Sequence, residues 1–215
     1  MTFSTRFKPM ALAIATLAMG LGFSNLAPAQ DATLNVTGQL TNSTCNLKMT
    51  AGTDVVNGAS GANATRTMNL GTQTYTSVPN TANTTVGSKS TVKFELTNAA
   101  GAACSTFSGL WNIALNLTDA QIASAGSDKA IVNSISSASG GTNLGVALFG
   151  GTATDPTTRL NLISFKDYGN ATKVVTSNQS STVPLYIGAQ FVTTSSSAPT
   201  VGQFTASIPL IVLYD

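Results

Sequence analysis

The apolar residues of this chain recur at period two in short runs, and Gly, Asn, Ser and Thr separate one run from the next. No long helical period competes with that pattern, so it predicts an all-β fold of short strands, most simply a β-sandwich. Candidate strands are Met68 to Tyr75, Thr91 to Thr97, Leu110 to Leu117, Leu144 to Phe149, Leu160 to Phe165, Val183 to Val192 and Gln203 to Tyr214. Residues Ala51 to Thr65 and Ser77 to Ser88 read as loops, and Asp119 to Ala125 as one short helical turn. The first run is the most informative. In Asp31 to Cys45, DATLNVTGQLTNSTC, residues Ala32, Leu34, Val36, Gly38 and Leu40 share one face, and Thr33, Asn35, Thr37 and Gln39 share the other. That is a half-buried strand placed ahead of the first cysteine, and we expect its partner to be a neighbouring copy. Periodicity alone favours an ordinary first strand in a self-contained sandwich.

Residues 1–29 have the form of an export signal. Arg6 and Lys8 form a basic start, Met10 to Phe23 is apolar and uncharged, and Ala27-Pro28-Ala29 supplies the small-x-small cleavage pattern. The apolar run is shorter than the roughly 20 residues that span a bilayer. Cleavage would start the mature chain at Gln30 and leave eight basic residues against eight acidic ones. Nucleic acid and anionic membrane surfaces need clustered Lys and Arg, which this balance lacks. The two cysteines, Cys45 and Cys104, in a chain bound for an oxidising compartment predict a single disulfide.

The chemistry of an enzyme is hard to assemble here. There is no histidine, Glu95 is the one glutamate, and the disulfide would consume both thiols. Asp119, Asp128, Asp155 and Asp167 could in principle supply a carboxylate pair, but each sits in a loop-like context where a solvated turn residue is the simpler reading. No nucleotide-binding loop, zinc spacing or calcium loop occurs, so no cofactor or metal is expected. Sugar recognition could use Trp111, Tyr75 or Tyr168, although a lone Trp opening an alternating strand is usually a core residue.

At the far end, Phe204, Ala206, Ile208, Leu210, Val212 and Tyr214 line one face of the last strand before Asp215. An apolar strand at a sheet edge must be covered. Pro209 interrupts the run, and a bulge there would switch faces beyond Ile208.

Taken together, the alternating extension with a central Gly38 ahead of Cys45, Cys104 following VKFELTN, the segment Asn143-Leu144-Gly145-Val146, Gly202 close to the end and Tyr214 next to last resemble the structural subunits of chaperone-usher fimbriae, the type 1 fimbrial pilin family. The resemblance spans the chain beyond the signal. It implies a signal peptide over 1–29, an N-terminal donor-strand extension over 30–44 and a pilin domain over 45–215. The fold implied is an incomplete immunoglobulin-like β-sandwich lacking one strand and completed by donor-strand exchange, a known form of β-augmentation. Ala32, Leu34, Val36, Gly38 and Leu40 would be the donor face. Gly202, Phe204, Ala206, Ile208, Leu210, Val212, Tyr214 and Asp215 would form the acceptor groove and chaperone contact. Implied partners are identical or related pilin subunits, a periplasmic chaperone and an outer-membrane usher. The implied location is the cell-surface fimbrium, reached through the periplasm, with a role in cell adhesion. A minor adaptor or terminating subunit shares these features. The rival of a different class is a secreted, self-contained carbohydrate-binding β-sandwich.

Overall fold

Leu47 and Met49 alternate along one run, Val92, Phe94 and Leu96 along the next, and each set turns its apolar side inward to near-complete burial. The same rule applied along the chain builds two sheets around a main core, with a smaller cluster of Ala125, Ala130, Ala147 and Val192 apart from it. A computed structural model describes residues 32–39, 45–51, 63–71, 80–98, 100–104, 108–165 and 172–214. The expected signal at 1–29 lies outside them, as do Leu40, Tyr75, Asp167, Tyr168 and Asp215. In chain order the strands are β1 (Ala32–Gln39), β2 (Asn46–Ala51), β3 (Asn63–Gly71), β4 (Thr85–Thr97), β5 (Leu110–Leu115) and β6 (Ile122–Ala125). They continue as β7 (Asp128–Ile131), β8 (Leu144–Gly151), β9 (Thr158–Arg159), β10 (Gln179–Ser180), β11 (Leu185–Thr193) and β12 (Thr205–Tyr214). One sheet runs β10-β5-β12-β1-β3, and the other runs β2-β4-β11-β8-β7-β6 with β9 attached to β8. The chain is an all-β, two-sheet sandwich.

Several expected strands begin elsewhere than periodicity placed them. β3 starts at Asn63 and β4 at Thr85, each inside a stretch read as loop, because hydrogen-bonded pairing extends past the apolar core into polar sequence. Thr85 and Val86 pair with Val192 and Phe191 beyond a register shift in β11. Leu160 to Phe165 forms no strand. Its alternation does report burial, since Leu160, Leu162 and Ser164 are buried. Its backbone is held one bond at a time, by Leu148 O at 2.8 Å and Leu117 O at 2.7 Å, with the Thr172 hydroxyl accepting from the Ile163 N–H at 2.9 Å. Asp119 to Ala125 divides into a 3-10 turn at Asp119–Gln121 and the strand β6.

Cys45 and Cys104 are joined, with Cα atoms 5.7 Å apart, and both are fully buried. Cys45 leads directly into β2, and the Cys104 N–H bonds Leu96 O at 3.0 Å. The bridge therefore clamps the start of β2 across the end of β4. A disulfide persists in oxidising, extracytoplasmic surroundings.

β5 departs from alternation, because Trp111, Asn112, Ile113, Ala114 and Leu115 are all buried. Trp111 belongs to the core, and its indole N–H donates to Ser180 O at 3.0 Å and Val183 O at 3.2 Å. Asn112 is tolerated because its amide is used on both sides. Its Nδ2 donates to Val175 O at 3.0 Å, and its Oδ1 accepts the Ile113 N–H at 2.8 Å. An unpaired buried backbone group costs about 1–3 kcal/mol. Asn112→Leu is thus expected to destabilise the chain by about that much, read as a lower urea midpoint at unchanged m-value.

Candidate functional site: the slot beside the last strand

The apolar alternation of β12 runs straight through Pro209. Phe204, Ala206, Ile208, Leu210 and Val212 are all buried, so the bulge considered at Pro209 does not occur. The proline is accommodated because its neighbour on that flank donates to it instead. The Asn116 N–H bonds Pro209 O at 2.8 Å. β5 pairs antiparallel with β12 only from Leu210 to Tyr214. Ahead of that point side chains and loops satisfy the same flank. Asn133 Oδ1 accepts the Thr205 N–H at 3.0 Å, Ser134 N donates to Thr205 O at 2.7 Å and Gln121 Nε2 donates to Ser207 O at 2.7 Å. Phe204 is fixed from the facing sheet by Phe191, edge to face, with ring centroids 5.5 Å apart.

The other flank of β12 is a slot, and β1 fills it. β1 runs parallel to β12, with Leu34 opposite Ala206, Val36 opposite Ile208 and Gly38 opposite Leu210. On its far side it pairs antiparallel with β3, placing Leu34 opposite Met68, Val36 opposite Arg66 and Gly38 opposite Ala64. Leu34 and Val36 are 0% exposed. The Thr33 N–H bonds Phe204 O at 3.1 Å, and the Thr33 and Thr205 hydroxyls lie 3.0 Å apart.

This placement corrects the expectation that the leading strand lacks a place in its own domain and that the last strand presents an open edge. Within one chain the two meet. The physical reason is complementarity: each strand offers an alternating apolar face, and each needs a ladder partner for its backbone. β3 is part of the same site and was missed as such. Among the described residues its hydrogen-bonded neighbour in the sheet is β1, so β1 joins β3 to the rest of that sheet.

Of the residues expected to form the groove, Gly202 belongs elsewhere. A side chain there would meet Gly140 O at 2.4 Å and Thr142 N at 2.7 Å, so Gly202 permits a close backbone approach just ahead of β12. Around it the Gln203 N–H bonds Gly140 O at 2.8 Å and the Thr142 N–H bonds Gln203 O at 3.0 Å. Tyr214 is half-buried and pairs with Trp111. The segment Asn143-Leu144-Gly145-Val146 opens β8, where Asn143 Oδ1 accepts the Thr200 N–H at 2.8 Å. Ala32 and Gly38 lie in β1, while Leu40 and Asp215 fall outside the described residues.

Charge is sparse in the two strands that meet along the slot, and the one cation of the adjoining β3 is Arg66. β1 and β12 contain no ionisable side chain other than the Tyr214 phenol. Two of the aspartates considered as catalytic candidates face cations. Asp155 pairs with Lys89 at 2.7 Å, whose ammonium also lies 4.7 Å from the centre of the Phe149 ring. Asp128 lies 3.4 Å from Arg159 and accepts from Asn83 Nδ2 at 2.7 Å. Burial pushes the Arg159 guanidinium below its ordinary pKa, and Asp128 opposes that shift. Asp119 is exposed at the 3-10 turn. Among the described residues no cluster of three or more His, Cys, Asp or Glu could hold a metal ion.

A second concavity, of about 800 Å³, lies between the turn after β8 and residues 172–179. Thr157, Asn161, Thr172 and Lys173 line it, and among the described residues no aromatic side chain does. Trp111, the described aromatic that sugar binding would have used, is in the core instead. Comparison with known proteins finds no family model that matches the chain and no curated protein similar to it.

Proposed function

We propose that this chain is a structural subunit of a surface fibre, a pilus shaft, and that its leading strand joins copies by filling the slot along β12 of the next one. The observation that carries this reading is the position of β1. It is the first described strand, yet it lies inside its sheet between β12 and β3, and the ladders it makes there are those two alone among the described residues. A segment of that kind can be traded between identical copies, since every contact it makes in its own slot is available in a neighbour's. One domain that both offers a strand and contains a slot can extend in both directions, as a shaft requires. On this reading the chain is exported to the cell surface, and a periplasmic chaperone and an outer-membrane usher deliver it. A minor adaptor or terminating subunit would use the same slot and differ in abundance in the fibre.

The experiment is to purify the exported chain with and without a periplasmic chaperone and examine both by electron microscopy. Filaments are expected, and a chain that stays monomeric under all conditions would overturn the reading. Because no charged group sits in β1 or β12, filament yield should change little between low and high salt at neutral pH. A steep fall in yield with salt would assign the contact to charged surfaces elsewhere.

A further inference from the structure

We propose that β1 acts as an internal plug, which closes the slot of each free subunit and must leave before that subunit can accept a neighbour's strand. The inference rests on the fibre reading above and concerns how the same site is regulated. Both flanks of β12 are occupied over Thr205 to Pro209. One flank is taken by β1, and the other by Asn116, Gln121, Asn133 and Ser134. An incoming strand therefore has no backbone to pair with until β1 withdraws. Withdrawal is not a fraying event, because β1 has a ladder on each side and its Leu34 and Val36 are sealed in the core. It also detaches β3 from its sheet. A closed subunit is thus a competitor of assembly, and a subunit that folds with a foreign strand already in the slot bypasses it. Growth from closed subunits should be limited by a unimolecular opening, so its rate should level off as subunit concentration rises.

The test uses the full chain, exported and processed by the cell, with Thr33→Cys and Thr205→Cys combined, since their hydroxyls lie 3.0 Å apart in the closed form. Peptide mapping establishes that the new bridge forms alongside the native one. Thr33→Ser with Thr205→Ser is the control. The bridged chain should form fibres about tenfold or more slowly than the control, and growth at the control rate would overturn the plug. Amide hydrogen exchange in dilute monomer gives a second readout. The β1 amides should exchange about a hundredfold or more slowly than in an unstructured peptide, and exchange at the peptide rate would overturn the plug whether or not fibres form. A control chain that never forms fibres would instead overturn the fibre reading, leaving the plug to be judged on the exchange rates.

Discussion

A chain lacking residues 32–39 is expected to lose its soluble, cooperatively folded monomer. Burying Leu34 and Val36 contributes about 1.5–3 kcal/mol each, and the deletion also bares the faces of Ala206, Ile208 and Met68 that they cover. β3 loses its ladder with β1 at the same time. Against a total stability of about 5–15 kcal/mol for a domain, these losses are a large fraction of the whole. The shortened chain should therefore aggregate when made alone and survive when another strand occupies the slot. A synthetic peptide of the β1 sequence, ATLNVTGQ, added during refolding should restore a single unfolding transition with native near-ultraviolet dichroism from the buried Trp111. A shortened chain that is monomeric, with the midpoint of the intact protein, would show that β1 is a passenger in the sheet.

The second large effect is expected from the disulfide. Replacing Cys45→Ser together with Cys104→Ser opens a loop with a sequence separation of 59. Chain-entropy reasoning assigns such a closure about 4 kcal/mol, and the two hydroxyls left in a fully buried site add to the cost. The clamp fixes the start of β2 over the end of β4, so Leu47, Met49 and Leu96 should loosen first. Urea unfolding should show a midpoint well below that of the intact protein, with faster amide exchange in β2 than in β8. An unmoved midpoint would mean that packing alone holds this end of the sandwich.

What could be read from the chain itself follows the reach of each physical signal. Alternation is local, and it identified the inward-facing Leu34 and Val36 of β1 and the buried face from Phe204 to Val212 along β12. It also found the burial of Leu160, Leu162 and Ser164, where no ladder forms. Alternation does not say which strand, or which copy, lies alongside. That is why Leu34 and Val36 were expected to look outside the chain, when β12 and β3 take them in within it. The pairing of the first described strand with the last is about as long-range as this sequence allows, and no local signal encodes it. Short polar strands were harder still. β6 and β7, IASA and DKAI, pair with each other as a small hairpin and carry little apolar pattern. Gly202 was legible as a special position, but its role depends on the backbone of Gly140 and Thr142, which are distant in sequence. The cysteines were simplest, because a pair in an oxidising compartment has one possible bridge.

The central claim is that β1 of one subunit lies in the slot of another once fibres form. It can be measured directly with a photo-activatable residue in place of Asn35, midway along β1 and opposite both Ser207 and Thr67. Fibres grown from an equal mixture of isotopically heavy and light subunits are irradiated, digested and read by mass spectrometry. Exchange requires cross-links that join a heavy β1 peptide to a light β12 or β3 peptide, and the reverse, with dilute monomer giving same-isotope links alone. Fibres in which every link joins peptides of one isotope would place each β1 in its own subunit and contradict strand exchange.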